Sequence, residues 1–255
     1  MDPLGVDLYA GDLGGKPDIA KLINAGWPWT WLELKATQGL FYPNQKSTKP
    51  DYSPAWFNKY WPLTRQLAEA RGSYGVRFFR MAYHYADIAT DPVAQVHWFL
   101  KIVEDAGGWG TGDLWPQLDV EGTRNPKNPG KAKLEDWINK FAETMLAEHG
   151  RRPTLYGNIY LWENGVTSQC GCENLVVARY TAALPSTTYT RIGWPLDKLL
   201  GWQFSGTGDP TPRPNGYPDK TPLSPIKQDI TAIQKTVDYL RTHCWAEAPA
   251  PPGCR

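Results

Sequence analysis

Hydrophobic and polar side chains alternate one by one near the middle of this chain, between residues 114 and 122. Asp119 and Glu121 alternate with Leu118 and Val120, and a period of two is typical of a β-strand whose two faces differ. Side chains two positions apart on a strand leave the same face, about 6.6 Å apart along the backbone. The pattern therefore predicts two carboxylates on one side of a single strand.

Elsewhere apolar side chains recur every three or four positions, the spacing that buries one face of an α-helix. Asp91 and Pro92 begin one such segment, and another covers residues 131–148. The patterns predict helices at residues 17–25, 54–71, from 91 onward, 131–148 and 231–242. They predict strands at residues 4–9, 27–37 and 77–85, a fourth that closes at 121, and others at 153–157, 175–180, 200–205 and 226–230.

Eight strands, with good helices after the early ones and poor ones after the fifth and sixth, predict an α/β fold. The expected architecture is a single barrel of TIM-like type whose outer layer of helices is incomplete in its second half. A length of 255 residues is normal for one such barrel. We expect the barrel over residues 1–243 and a Pro-rich C-terminal tail over residues 244–255.

Polar and aromatic residues end nearly every predicted strand, and chemistry in β/α barrels lies at the C-terminal strand ends. Hydrolysis of a glycosidic bond needs a pair of carboxyl groups, one to protonate the leaving oxygen and one to act on the cationic transition state. Asp119 and Glu121 have the spacing for such a pair. The alternative is a strand that ends in two solvated acids. The strand-end residues are Asp7, Tyr83, His84, Tyr85, Asp119, Glu121, Tyr156, Arg179, Gln203 and Asp229.

Several of these residues have a structural interpretation beside the functional one. Asp7 is either a turn residue or a contact to substrate, and Asp229 is a helix N-cap, an active-site acid or both. Glu33 and Lys35 are expected to form an internal ion pair, and His84 to be a packed core residue. Aromatic rings suit both sugar stacking and core packing. That ambiguity applies to Tyr85, Tyr156 and Trp202.

Composition and charge exclude several classes of function. A net charge of +1 provides no basic field for nucleic acid or for an anionic membrane. No apolar run approaches the roughly 20 residues that span a bilayer, and the N-terminus shows no signal-peptide pattern. No cluster of side chains has metal-ligand spacing and no phosphate-binding loop is visible, so we expect neither metal nor cofactor. Thirteen Trp and thirteen Tyr favour either a carbohydrate ligand or a Trp-rich core.

Four cysteines stand at positions 170, 172, 244 and 254. Their spacing is not that of a zinc site. We expect one or two disulfides that fix the C-terminal tail, while the three possible pairings stay open.

Seven short motifs, taken together and in order, resemble glycoside hydrolase family 25, the Chalaropsis-type lysozymes or N-acetylmuramidases. The resemblance covers about residues 4–240. It implies a flattened barrel of five β/α units plus three strands, and cleavage of the β-1,4 bond after N-acetylmuramic acid in peptidoglycan. It also implies an active site of Asp7, Asp119, Glu121 and Asp229 with Glu121 as the general acid. The motifs are 5–7 (Gly-Val-Asp), 34–37 (Leu-Lys-Ala-Thr), 82–84 (Ala-Tyr-His), 118–121 (Leu-Asp-Val-Glu), 177–180 (Val-Ala-Arg-Tyr), 202–205 (Trp-Gln-Phe-Ser) and 228–229 (Gln-Asp).

The sequence departs from the family pattern at Gln38, where a Glu is common, and in the loop after Asp7. The favoured function is a peptidoglycan muramidase, released as a phage lysin or carried as a virion component with other lysis proteins as partners. The alternatives are a non-catalytic glycan-binding or structural barrel of a phage virion, and a hydrolase of another wall polysaccharide. Candidate substrate-binding residues are Tyr83, Tyr85, Tyr156, Arg179, Trp202 and Gln203.

Overall fold

The computed structural model describes residues 4–9, 29–40, 53–69, 78–122, 125–180, 184, 187–205, 229–233 and 240. Its strands are β1 (Leu4–Leu8), β2 (Trp29–Gln38), β3 (Phe79–Tyr85), β4 (Gln117–Val120), β5 (Thr154–Gly157), β6 (Asn174–Ala178), β7 (Leu199–Ser205) and β8 (Asp229–Ile233). Its α-helices are α1 (Ser53–Glu69), α2 (Pro92–Asp105), α3 (Lys131–His149), α4 (Ile159–Glu163) and α5 (Thr187–Thr190), and a 3₁₀ turn covers Leu196–Lys198.

The eight strands close into a barrel in chain order. Neighbouring strands from β1 to β7 are parallel, whereas β8 is antiparallel to both β7 and β1. The α/β barrel predicted from the sequence is therefore confirmed. Long helices follow β2, β3 and β4, and short ones follow β5 and β6. The predicted helix at residues 17–25 lies outside the described residues.

The eighth strand differs from its prediction. The predicted strand ended at Ile230 and a helix began at Thr231, but β8 runs from Asp229 to Ile233. Thr231 and Ala232 pair with residues of both β7 and β1, and this pairing excludes a helix there. Because β8 is antiparallel, its first residue lies at the barrel end where the parallel strands finish. Asp229 therefore reaches the expected end of the barrel from the opposite chain direction.

Strand β4 shows the alternation that the sequence predicts. Leu118 and Val120 are fully buried in the apolar layer between the barrel and its helices. Gln117 and Asp119 face the barrel interior, where both line a cleft. The core between barrel and helices thus fixes which side chains of β4 enter the interior.

The outer helices begin and pack as their sequences predict. Asp91 caps α2 by accepting hydrogen bonds from the backbone N–H groups of Val93 and Ala94, and Pro92 occupies the first helical position. On α3 the apolar side chains at helical spacing are buried against the barrel. They are Leu134, Trp137, Ile138, Phe141, Ala142 and Met145.

His84 is buried between the barrel and helices α2 and α3, as the sequence predicts for a packed residue. Its Nε2 lies 2.8 Å from Gln95 Oε1, and its Nδ1 lies 2.8 Å from Thr37 Oγ1. Gln95 Oε1 also accepts from the Asp87 N–H, so the Gln95 oxygen is an acceptor and His84 Nε2 carries the proton. Burial lowers the pKa of His84 to about 4. The ring is a neutral structural element.

A network that we call the clasp joins α1 to the start of β3 and to the turn before β4. Arg80 and Asp113 form a buried two-point ion pair, with Nε–Oδ1 of 2.6 Å and Nη2–Oδ2 of 2.5 Å. The Arg80 guanidinium lies over the Trp61 ring at 3.8 Å and donates to the Trp61 carbonyl. Trp61 Nε1 and Arg65 Nη2 both donate to the Gly108 carbonyl, which fixes the glycine-rich turn.

Cys170 and Cys172 carry free, buried thiols, so the predicted disulfides are wrong for these two residues. Burial raises the pKa of Cys170 to about 11, and Cys172 donates a weak hydrogen bond to the Cys170 carbonyl. Cys244 and Cys254 lie outside the described residues.

The clasp predicts a large stability effect for Arg80→Met. This variant removes the two-point partner of the buried Asp113 carboxylate and leaves it with the Arg65 cation, whose Nη2 lies 3.7 Å from Asp113 Oδ2. Breaking a buried ion pair commonly costs about 3–5 kcal/mol. The matched control is Lys101→Met in the exposed Lys101–Asp105 pair, where a loss of about 0.3–0.5 kcal/mol is typical. Urea unfolding of both variants measures the difference. Equal losses would contradict the assigned weight of the clasp.

Burial of His84 predicts a stability that falls in acid. Above pH 6.5 the ring is neutral in the folded and the unfolded chain. As the pH falls from 6.5 towards 4, only the unfolded chain takes up the proton, which removes up to about 3 kcal/mol of stability. NMR titration of the ring should show a neutral Nε2–H form down to pH 5. The stability advantage of the wild type over His84→Gln should shrink across the same range, and a ring that titrates near 6.5 would contradict the argument.

Candidate active site

A cleft of about 310 Å³ opens at the end of the barrel where the parallel strands finish. Its walls combine carboxylates, phenol rings, one cation and two amides. The lining residues are Asp7, Tyr9, Lys35, Gln38, Tyr83, Tyr85, Gln117, Asp119, Glu121, Tyr156 and Tyr180. Six of the ten predicted site residues line the cleft: Asp7, Tyr83, Tyr85, Asp119, Glu121 and Tyr156.

Backbone register brings the aspartates together. Asp119 pairs with Tyr85 of β3 on one side and with Tyr156 of β5 on the other. Asp7 lies three strands away on β1, and the backbone of Asp229 is directly opposite it in the antiparallel pair β1–β8. Asp119 is only 6% exposed. The first, fourth and eighth strands thus each bring an aspartate position to the same end of the barrel.

Glu121 follows β4 directly and is partly buried. Its Oε1 accepts a hydrogen bond of 2.6 Å from Asn158 Nδ2. Asn158 Oδ1 accepts from the Tyr160 N–H and so caps α4, which orients the amide with its N–H₂ group towards Glu121. Asn125 Nδ2 donates to the Glu121 carbonyl at 2.7 Å and holds the backbone.

The environment of Glu121 favours its protonated form. Burial raises the pKa of Glu121 above its ordinary value and is the largest influence on it. The hydrogen bond from Asn158, the interaction with the Tyr156 hydroxyl and the positive charge of Lys35 act in the opposite direction. Because burial dominates, Glu121 keeps its proton to a higher pH than an exposed glutamate. A carboxyl group of this kind can donate a proton to a substrate oxygen.

Two tyrosines on the cleft wall share one support. Tyr156 Oη donates to Gln203 Oε1 at 2.6 Å, and Tyr180 Oη donates to the same oxygen at 3.1 Å. Gln203 is 1% exposed. The sequence predicts that Gln203 contacts the substrate, but its side chain lies behind the cleft wall. There it fixes the hydroxyl groups of both tyrosines.

Arg179 and Trp202 lie outside the cleft. Trp202 packs in the outer apolar layer, and its Nε1 donates to the Arg179 carbonyl at 2.7 Å. This corrects the expectation that the Trp202 ring is presented to a sugar, because strand alternation turns it away from the interior. Arg179 lines a neighbouring groove with Tyr180. Of the predicted substrate-binding residues, Tyr83, Tyr85 and Tyr156 line the cleft itself.

Sequence reasoning missed several residues of the site. Lys35, for which the sequence predicts only an internal ion pair with Glu33, lines the cleft; its Nζ lies 4.6 Å from the Tyr85 ring centre and donates to Gln38 Oε1 at 2.7 Å. Gln117, two positions before Asp119, donates to Glu33 at 2.7 Å. The period of two on β2 and β4 could have identified both. The other missed residues are Tyr9, Gln38, Asn158 and Tyr180.

Among the residues that the structure describes, no group of three His, Cys, Asp or Glu side chains could hold a metal ion. The chemistry available in the cleft is that of carboxyl groups, phenols, amides and one ammonium group. A carboxyl group with a raised pKa, next to further carboxylates in an aromatic cleft at the end of an α/β barrel, is the arrangement that glycoside hydrolysis needs.

Comparison with known proteins agrees with this class. The family model for glycosyl hydrolases family 25 matches residues 58–211. The chain therefore belongs to glycosyl hydrolases family 25.

Relatives and solved structures agree with this assignment. An N,O-diacetylmuramidase of Chalaropsis sp is 32% identical over 182 residues, covering 68% of this chain and 75% of that protein. An N,O-diacetylmuramidase of Arthroderma benhamiae is 33% identical over 144 residues, covering 53% and 58%. The structure of a family GH25 lysozyme from Aspergillus fumigatus shares the fold with a TM-score of 0.65 at 18% identity, covering 95% of this chain and 99% of that one.

Asn158 predicts a measurable shift of the Glu121 pKa. Asn158→Asp keeps the cap of α4 but places an oxygen where the amide N–H₂ group supports ionised Glu121. We expect the Glu121 pKa, and with it the alkaline limb of the pH–rate profile, to rise by about one unit or more. Asn158→Ser keeps a cap without the donor and should shift the limb less.

Asn128→Asp is the matched control, because it adds the same charge at an exposed loop position. It should leave the limb in place. An Asn158→Asp profile that overlays the wild type, with folding confirmed by circular dichroism, would show that Asn158 does not tune Glu121.

Proposed function

We propose that this chain is a peptidoglycan muramidase that hydrolyses the β-1,4 bond between N-acetylmuramic acid and N-acetylglucosamine. The observation that carries the proposal is the partly buried Glu121, with its raised pKa, next to Asp119 in the cleft. Membership of glycosyl hydrolases family 25 and the relatives named N,O-diacetylmuramidase support the choice of substrate.

Glu121 acts in this proposal as the general acid. It donates its proton to the glycosidic oxygen as the bond to the anomeric carbon breaks. Its hydrogen bond from Asn158 then stabilises the carboxylate that remains. Burial of Glu121 favours its protonated form before the reaction. The Asn158 hydrogen bond stabilises its ionised form afterwards.

Asp119 acts as an ionised carboxylate beside the developing positive charge. Its place on the inner face of β4, 6% exposed, keeps it in a region of low dielectric, where its charge acts strongly on its neighbours. A negative charge there also raises the affinity of Glu121 for its proton. Asp7 lines the same cleft and is assigned a contact with the substrate. The active-site role expected for Asp229 stays a prediction, supported by its backbone position opposite Asp7.

The aromatic residues of the cleft bind the sugar rings. Tyr83, Tyr85 and Tyr156 each have an apolar ring face and a polar hydroxyl edge. Sugar rings likewise have apolar C–H faces and polar hydroxyl edges, so the two kinds of ring can stack and form hydrogen bonds. Gln203 positions Tyr156 from behind. No residue of the proposed mechanism requires a metal or an organic cofactor.

The barrel is proposed to consist of five β/α units followed by three strands. Helices α1 to α4 after β2 to β5 support four of the five units. The route by which the chain reaches the wall, as a phage lysin or as part of a virion with other lysis components, stays a prediction. No helix in the described part of the chain is long and apolar enough to cross a membrane.

The proposal predicts that Glu121→Gln lowers turnover by roughly two to four powers of ten, the usual contribution of a general acid. Binding of glycan fragments should persist, because the amide keeps the size of the side chain. The matched control is Glu163→Gln, which changes an exposed glutamate at the end of α4. The measurement is product release from purified peptidoglycan, with mass analysis of the reducing ends.

Asp119→Asn tests the second carboxylate in the same assay. Turnover should fall, and the alkaline limb of the pH–rate profile should move to lower pH because Glu121 loses its proton sooner. Retention of more than about a tenth of wild-type turnover by Glu121→Gln would refute the general-acid role. Glycan binding without any hydrolysis by the wild type would favour a non-catalytic binding barrel instead.

A further inference from the structure

A second depression, which we call the side groove, lies beside the cleft and has a volume of about 430 Å³. Tyr180 lines both the cleft and the side groove, so the two share a wall at this residue. Asn158 lines the side groove and donates to Glu121 of the cleft. One lining residue of the groove is thus hydrogen-bonded to the proposed general acid. Its lining residues are Asn158, Ile159, Trp162, Ala178, Arg179 and Tyr180.

The wall of the side groove exposes apolar surface that the fold does not use. Ile159 is 50% exposed and Tyr180 is 52% exposed, and the half-buried Trp162 and the buried Ala178 complete the apolar part of the lining. Large apolar side chains exposed together next to a binding cleft are typical of an extension of the ligand site. Few hydrogen-bonding groups accompany them, unlike the cleft with its carboxylates and phenols.

Arg179 supplies the one cation of the side groove. Its backbone is fixed on both sides, because its N–H donates to the Gln203 carbonyl at 2.9 Å and its own carbonyl accepts from Trp202 Nε1. Its side chain is exposed, and within the described part of the chain no carboxylate forms an ion pair with it. A guanidinium on a rigid strand end is suited to bind a carboxylate of a ligand.

We propose that the side groove binds the peptide substituent of the muramic acid residue while the cleft holds the sugars. This inference rests on the proposed function. The peptide begins with alanine and carries free carboxylates, so its methyl groups match Ile159 and Ala178 and its charge matches Arg179. The muramic acid ring whose bond is cleaved lies against Glu121, and the groove opens next to Glu121 at Asn158. The substituent on that ring therefore has a short path into the groove.

A further sugar ring is the competing occupant, and the lining argues against it. Sugar hydroxyls need several donors and acceptors, whereas the polar side-chain groups in this lining are those of Asn158, Arg179 and Tyr180. Asn158 already uses its amide on Glu121 and on the α4 cap, and Tyr180 Oη is bound to Gln203. One free guanidinium with aliphatic neighbours fits an acidic peptide better than a ring of hydroxyls.

The test compares two substrates that differ only in the peptide. One is a glycan strand with its peptides, and the other is the same strand after an amidase has removed them. Arg179→Ala should lower kcat/KM about tenfold on the peptide-bearing strand, mainly through KM, as expected for the loss of a charge-assisted contact. It should change kcat/KM less than twofold on the stripped strand. Arg179→Lys should restore part of the loss, because it keeps the charge without the planar fork.

Lys140→Ala is the matched control, since it removes one positive charge from the exposed face of α3. It should leave both substrates unaffected. An equal effect of Arg179→Ala on the two strands, or no effect on either, would overturn the peptide assignment. The equal effect would point to a sugar subsite or to a structural role.

A binding measurement separates failure of this inference from failure of the proposed function. Calorimetry of the Glu121→Gln chain with a peptide-bearing disaccharide, and with the disaccharide alone, needs no catalysis. Tighter binding of the peptide-bearing form that disappears when Arg179 is also replaced supports the groove even if the wild type hydrolyses neither strand. Equal binding of the two ligands refutes the groove even if hydrolysis is efficient.

Discussion

The register of β4 is the constraint on which the site depends. Leu118 and Val120 are fully buried in the outer core, and this burial requires Gln117 and Asp119 to face the interior. A slip of one residue would bury carboxylates among the helices and expose leucine and valine in the cleft. Fully burying each of these apolar side chains contributes about 1.5–3 kcal/mol, so the correct register is strongly preferred. The core thus determines where the acids point, although it makes no contact with substrate.

The cleft gathers charges that would repel one another in a dry interior, and its polar neighbours moderate this cost. Lys35 brings a positive charge to the cleft floor, and Gln117 donates to Glu33 below it. Asn158 supports the ionised form of Glu121. The Asn158 side chain thus caps the start of one helix and acts on one acid. Local helix formation and the proton affinity of the site are linked through two atoms of the same side chain.

Much of the fold could be predicted from the sequence because its periodicities are strong where packing is strong. The spacing of Phe141 and its neighbours on α3, and the cap at Asp91, were sufficient to place two helices. The direction of β8 was not predictable, because a short strand has the same alternation in a parallel and an antiparallel pair. The helix expected at Thr231 rested on local propensity, and pairing with β7 and β1 overrode it.

The site was predictable in its acids and less so in its supporting residues. Asp7, Asp119 and Glu121 end or follow strands, and strand ends meet at one end of a barrel. Asn158 gave no such signal, because its role depends on contact with a residue 37 positions away. Trp202 was misassigned since the chain around it does not show which face of β7 enters the barrel. The free thiols of Cys170 and Cys172 could not be predicted either, because the number and spacing of cysteines in a sequence do not show which of them meet in the fold.

The clasp lies at the barrel end opposite the cleft, and this separation has a consequence for how the protein can change. Arg80 and Tyr85 belong to the same strand and are roughly 17 Å apart along it. Substitutions around Asp113 can therefore alter folding free energy without moving the groups that touch a substrate. If the clasp provides surplus folding free energy, substitutions in the cleft that change specificity and lower stability can be tolerated, because the chain still folds. A barrel divided in this way can adapt to a chemically altered cell wall by changing its rim alone, and engineering for heat resistance can begin at the end that never contacts the wall.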